Sequence, residues 1–145
     1  MTPDQILQVR ASWPRVVEQA DSLTQCFYAR LFDIDASAAR LFAGVDMAAQ
    51  RVKLAQALTV VVYALVDTDR LLPTLAALAK RHARYGVEDR HFDSVGDALL
   101  WALAEVVHND FTAELREAWS TAYALVASVM RRALAPASPI RSVTA

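Results

Sequence analysis

Apolar residues recur at intervals of three and four from Ile6 to Met130, and only three glycines interrupt them in 145 residues. A domain of this length usually carries roughly ten glycines. Turn-rich all-β folds need Gly and Asn at positive φ, so this scarcity argues for helices joined by short connections. Hydrophobic residues make up 55% of the chain, enough for one domain with its own core. At 21% charged residues, the composition is not that of a disordered chain.

Fifteen basic residues face sixteen acidic ones, for a net charge of −1. That balance offers no electrostatic case for nucleic acid or for an anionic membrane surface. A single cysteine, Cys26, excludes an internal disulfide and a cysteine-cluster metal site; it reads as a buried, inert thiol. Met1-Thr2-Pro3-Asp4 opens polar, without the apolar centre of a signal peptide. The longest uncharged runs, Leu54 to Val66 and Ala118 to Met130, have 13 residues each, short of a bilayer span and suited to buried helices. The expectation is a soluble, cytoplasmic domain over residues 1–134 with a flexible Pro- and Ser-containing tail over 135–145.

The first helix is expected from Thr2, which can cap Gln5 while Gln5 reaches back, with Pro3 in the first turn. Its stripe runs Ile6, Val9, Trp13, Val16 and Ala20, and Pro14 predicts a bend because it lacks the amide that would bond Arg10. A second helix carries Leu23, Phe27, Leu31 and Ile34, with Tyr28 beside the stripe. Ala36 to Phe42 forms a short segment, broken by Gly44. A helix from Met47 to Val66, capped by Asp46, shows Met47, Gln50, Leu54, Leu58, Val61 and Leu65 on one side. The next shows Leu71, Leu75, Leu78, His82 and Tyr85 and stops at Gly86. Two more follow, from Asp89 to His108 and after Thr112. Six or seven unequal helices with a broken second quarter favour crossed helix packing over an up-down bundle.

Two polar residues sit on apolar stripes. Gln50 lies between Met47 and Leu54, and His82 between Leu78 and Tyr85. A buried polar group without a partner costs about 1–3 kcal/mol, so each needs one. On pattern alone, a core histidine bonded to a backbone carbonyl is the commoner reading of His82 than a metal ligand, and Gln50 reads as a surface residue near the cap. His91 and His108, near helix ends, read as solvated. Lys80, Arg81, Arg84 and Arg90 read as a solvated face, although Arg81 and Arg84, three apart, could meet an anion. No Gly-rich phosphate loop, HExxH spacing or strand-turn-helix elbow is present. One histidine on a core stripe cannot hold a bare metal, but it can serve as axial ligand to a metal already chelated by a macrocycle.

The runs Cys26-Phe27-Tyr28-Ala29-Arg30-Leu31-Phe32, Arg40-Leu41-Phe42, Gln50-Arg51-Val52-Lys53-Leu54 and Lys80-Arg81-His82-Ala83-Arg84-Tyr85-Gly86-Val87, with Val95-Gly96, Leu99-Leu100-Trp101 and Ala118-Trp119-Ser120-Thr121-Ala122-Tyr123, carry a resemblance. In order and spacing the chain resembles single-domain bacterial globins, and also neuroglobin-type globins, over residues 2–133. The resemblance implies an all-α, three-over-three sandwich of six to eight helices that binds haem b. It implies His82 as the proximal iron ligand, Phe42 stacked on the haem, and Tyr28 with Gln50 as a distal hydrogen-bonding pair. Leu54 matches the apolar distal wall, Lys53 a position that reaches a haem propionate, and Val87, Phe92 and Val95 the lining below and behind His82; Leu78 belongs to the same lining. Flavohaemoglobins carry a tyrosine and a glutamate that bond the proximal histidine, and the matching positions here read Phe92 and Leu134. Neuroglobin has a distal histidine where this chain has Gln50.

The resemblance implies reversible O₂ binding, storage or delivery at a pentacoordinate ferrous haem, with CO and NO as further diatomic ligands. Two alternatives stay open. One is a nitric oxide dioxygenase supplied with electrons by a separate reductase; the other is a gas-sensing globin module. The expected state is a monomer or homodimer.

Overall fold

The structure is a computed structural model that describes residues 1–135. Those residues form seven α-helices and one 3-10 turn, with no strand among them. Helix α1 (Pro3–Val17) starts as its residues dictate: Thr2 accepts from the Gln5 amide at 3.1 Å, and the Gln5 side chain accepts from the Thr2 amide at 2.9 Å. It passes through Pro14 and ends three residues later. Helix α2 (Ala20–Ile34) stops at Asp35, whose carboxylate accepts from the Ser37 and Ala38 amides and so starts α3 (Ala36–Leu41). Helix α4 (Met47–Ala64) is capped by Asp46, α5 (Thr68–Arg84) by Asp67 and α7 (Ala113–Leu134) by Thr112. Helix α6 (Asp89–Val107) ends where His108 takes a positive φ of 58° and opens the 3-10 turn His108–Asp110.

The helices form two layers. Helices α1, α4 and α5 follow one another in one, and α2, α6 and α7 in the other. The pairs α1·α7, α5·α7 and α2·α4 join the layers. Helix α6 is the spine, with eight buried residues from His91 to Val106. Two tryptophans lock α1 into place. The Trp119 indole donates to Ser12 Oγ at 3.0 Å, the Ser12 hydroxyl donates to Val9 O, and Trp13 donates to Thr59 on α4 at 3.1 Å. The two rings lie 5.9 Å apart. Each buried indole therefore has its partner, which is what burial of an N–H demands.

Gly96 admits the ring of Tyr123. A Cβ at Gly96 would lie 2.7 Å from Tyr123 Cε2, and the ring is pinned because its hydroxyl donates to Phe92 O at 2.6 Å. Gly96→Ala gains about 1 kcal/mol of helix propensity and loses about 1–3 kcal/mol to overpacking. The variant is expected to be about 1 kcal/mol less stable in urea unfolding; an increase in stability would show that the ring yields.

Three expectations change. Ile34 is 39% exposed, because α2 ends there and Asp35 turns into extended backbone. Tyr85 is 64% exposed, because α5 stops at Arg84 and helical spacing no longer governs the next side chain. Cys26 is half-buried rather than buried. No described helix is long and apolar enough to cross a membrane. The tail expected from residue 135 lies outside the described residues after Ala135.

Candidate functional site

Helix α2 buries Tyr28, which is 6% exposed, among aromatic rings. Phe27 meets it edge-on at 4.9 Å, Phe42 at 5.3 Å and Phe32 at 5.7 Å, and Phe32 also touches Phe42 at 5.5 Å. Phe42 reaches this cluster because α3 ends on it and Gly44, with φ +75°, turns the chain away toward α4. The first turn of α4 then brings Gln50 over the phenol, and its Nε2 donates to the Tyr28 hydroxyl oxygen at 3.2 Å. Burial pushes the Tyr28 phenol up from its ordinary value, and the Gln50 bond lowers it in part, so the group stays protonated. With its oxygen accepting from Gln50, the phenol keeps its own proton free to donate. Tyr28, Gln50 and Phe42, chosen from separate segments, thus form one contact group. Phe32, one turn after Tyr28, belongs to it as well.

His82 lies in the last turn of α5 and is half-buried. Its Nδ1 lies 2.7 Å from Leu78 O, one turn back. A carbonyl only accepts, so Nδ1 carries the proton and Nε2 carries the lone pair. Nε2 makes no hydrogen bond among the described residues. The carbonyl partner expected of a core histidine is therefore present, and it leaves the other nitrogen available. The turn after His82 is closed by three bonds: Tyr85 N donates to His82 O at 3.1 Å, Gly86 N to Ala83 O at 3.2 Å and Val87 N to His82 O at 3.3 Å. Gly86 adopts φ +83°, which a side chain would strain. Helix α4 packs against both α2, which carries Tyr28, and α5, which carries His82.

Leu54, Leu78, Val87 and Val95 are half-buried, and Phe92 is buried. Lys53 is exposed and forms no ion pair among the described residues. Lys80, Arg81 and Arg84 are exposed, as the reading of a solvated face requires, and Arg90 pairs with Glu88 at 2.7 Å. Arg131 of α7 covers the Phe92 ring at 5.2 Å and pairs with Asp89 at 2.9 Å and Asp93 at 2.8 Å. These pairs, that with Asp93 first, raise the Arg131 guanidinium above its ordinary value. Burial raises the Tyr123 phenol too, so it remains a donor to Phe92 O. Leu134 is half-buried and packs on the core.

His91 corrects the sequence reading. It is 3% exposed, not solvated, because the first turn of α6 packs on the α2–α3 corner, where Ser37 partners the ring and is itself bonded to Asp35. Spacing within α6 gave no sign of this, since Ser37 is 54 residues away. Among the described residues no cluster of three or more His, Cys, Asp or Glu side chains could hold a bare metal ion.

The globin family model matches residues 25–130. The flavohemoprotein of Bordetella parapertussis is 31% identical over 132 residues, which is 90% of this chain and 33% of that protein. The flavohemoprotein of Chromobacterium violaceum is 29% identical over 84% of this chain and 31% of its own length. The chain thus spans about a third of the length of the curated relatives it matches. Among solved structures, an engineered carbene transferase built on a nitric oxide dioxygenase candidate of Rhodothermus marinus superimposes with TM-score 0.83 at 26% identity, covering 99% of this chain and 98% of that one. A hexacoordinated haem protein from a tardigrade shares the fold, with TM-score 0.84 at 14% identity over 92% of this chain and 95% of that one. The three-over-three arrangement of seven helices is the fold of these structures, and with most of its length matched by the family model, this chain belongs to the globin family.

Proposed function

We propose that the chain binds haem b with His82 as the protein ligand, and that it reversibly binds O₂ beneath Tyr28 and Gln50. The observation that carries this reading is the pairing of two opposite polar groups: an imidazole with an uncommitted Nε2 and a buried phenol with an uncommitted proton. When bound, haem supplies a ferrous centre with one position for a diatomic gas. The residues fit such a group. Leu78 O holds the imidazole in the orientation that presents Nε2, and as a neutral acceptor it adds no negative charge to the ring. Phe42, Leu54, Leu78, Val87 and Val95 offer apolar faces that are only half-buried, so they can take a flat apolar partner. Tyr28 donates to a polarised gas in a site of low dielectric, and the Gln50 amide holds the phenol in place. Phe42 and Leu54 exclude water. Lys53, exposed beside Leu54, is available to a propionate. The purified chain's colour and its pyridine haemochrome spectrum test the proposal; a colourless chain that takes up no added hemin would overturn it.

A nitric oxide dioxygenase, converting NO and O₂ to nitrate with an electron from a separate reductase, is the second reading. The likeness to flavohemoproteins and to the Rhodothermus marinus protein supports it. Phe92 and Leu134 speak for the first reading, since neither offers His82 an anionic partner. Nitrate yield per haem, with and without a generic flavin reductase, separates the two.

The ferrous state gives a further expectation. Gln50 is the residue poised over the gas position, and a neutral amide is a poor iron ligand. The unliganded ferrous protein should be mainly pentacoordinate and high spin, and CO should bind in one fast phase. Gln50→His should convert part of the population to a six-coordinate form and add a slow phase, because imidazole must leave first. A low-spin, six-coordinate resonance Raman spectrum of the ferrous wild type would contradict this.

A further inference from the structure

His91 sits in a chain of hydrogen bonds whose direction its neighbours dictate. The Glu88 amide donates to His91 Nδ1 at 2.8 Å. Nδ1 therefore carries no proton, and the ring's proton is on Nε2. Nε2–H then donates to Ser37 Oγ at 2.9 Å. The Ser37 hydroxyl donates to Asp35 Oδ1 at 2.5 Å, and Ser94 donates to Asp35 Oδ2 at 2.6 Å. These bonds, that of Ser37 first and that of Ser94 next, hold the Asp35 carboxyl well below the usual carboxylate range. The chain runs from the turn behind His82 to the corner between α2 and α3. Val87 and Glu88, adjacent residues in that turn, are bonded to His82 and His91 respectively. At the other end, Asp35 joins α2, which carries Tyr28 two turns earlier, to α3, which Phe42 closes.

We propose that His91 is a positioning residue, in the Nε2–H tautomer, that latches the turn carrying Val87 to the α2–α3 corner and so sets the spacing between the His82 side and the Tyr28 side of the site. The latch is sensitive to acid. A proton added to Nδ1 points two donors at each other across 2.8 Å, so the Glu88 amide must let go. The charged groups around His91 do not replace that bond. On the α2–α3 corner, Asp35 is already engaged by Ser37 and Ser94. On α6, Glu88 is paired with Arg90, and Asp89 and Asp93 are paired with Arg131 of α7.

The consequence for gas binding rests on the reading of the site given above; the latch itself does not, and the two are tested separately. In ¹⁵N NMR of the full chain, saturated with CO, His91 should show the Nε2–H tautomer at neutral pH. The protection of the Glu88 amide, measured against the intrinsic exchange rate at each pH, should fall about tenfold for one lost bond once the His91 ring is protonated. His91→Asn, which keeps an acceptor near Nδ1, should remove that pH dependence. Ser37→Ala cuts the other end without touching α6. Both variants should change the O₂ dissociation rate about twofold to tenfold in the same direction, and together no more than either alone. An Nδ1–H tautomer, a Glu88 amide protection indifferent to His91, or wild-type O₂ dissociation in both variants would overturn the proposal. A chain that takes up no haem would overturn the reading of the site, while the tautomer and the Glu88 amide would still decide the latch.

Discussion

His82→Ala is expected to leave the purified chain with little or no haem. His82 is the histidine that combines a core-facing stripe with a free ring nitrogen. His91 is committed at both nitrogens, and His108 is exposed beyond the end of α6. Without the imidazole, the iron has no protein bond on that side, and apolar contact from half-buried side chains is all that holds the group. The helix itself should survive. Arg81 and Ala83 flank the position, alanine is the best helix former, and the turn bonds at Gly86 and Val87 use the backbone of residue 82, not its side chain. Helicity by circular dichroism should therefore match the wild type while the Soret band is lost. Free imidazole in the buffer should restore part of that band by filling the space the ring leaves. If the variant kept full haem and an unchanged ferrous spectrum, His82 would not be the ligand.

Tyr28→Phe should speed O₂ dissociation roughly tenfold to hundredfold. A hydrogen bond to a partly charged acceptor contributes about 1.5–3 kcal/mol, and the buried phenol has no competing acceptor for its proton among its aromatic neighbours. The ring stays, so the packing against Phe27, Phe32 and Phe42 stays with it. CO is much less polar when bound, and its dissociation should change little. Stopped-flow replacement of O₂ by CO measures the first rate, and replacement of CO by NO the second. Equal changes for both gases would mean that Tyr28 acts through shape and not through donation.

The helix starts were legible because their causes are local. Thr2 with Gln5, Asp46, and Thr112 each satisfy amides within three residues, and those bonds are present. Gly86 stopped α5 where its spacing implied, for the same reason. Tyr85 and Ile34 went astray because a period of three or four carries on past the last helical residue, whereas the backbone does not. The polar residues divide in the same way. The carbonyl partner of His82 is one turn away and could be named in advance. Gln50 finds Tyr28 at a separation of 22 residues, and spacing alone made it a surface residue; the resemblance to globins made it a partner of Tyr28. His91 needed both the α2–α3 corner and the start of α6, which periodicity does not relate. The clamp of Arg131 and Tyr123 on Phe92 is of that kind too, assembled by the docking of α7 on α6.

The four residues that join α5 to α6, Tyr85 to Glu88, form a connector of fixed length. Surface connections usually accept insertions, since a longer loop adds little closure entropy. This one is bonded at both margins, Val87 to the carbonyl of His82 and Glu88 to the ring of His91. One added residue would shift the register of both bonds at once and rotate the start of α6 relative to the end of α5. Recombination or domain grafting in this protein should therefore cut at the 3-10 turn His108–Asp110 or between α4 and α5, and leave this span intact.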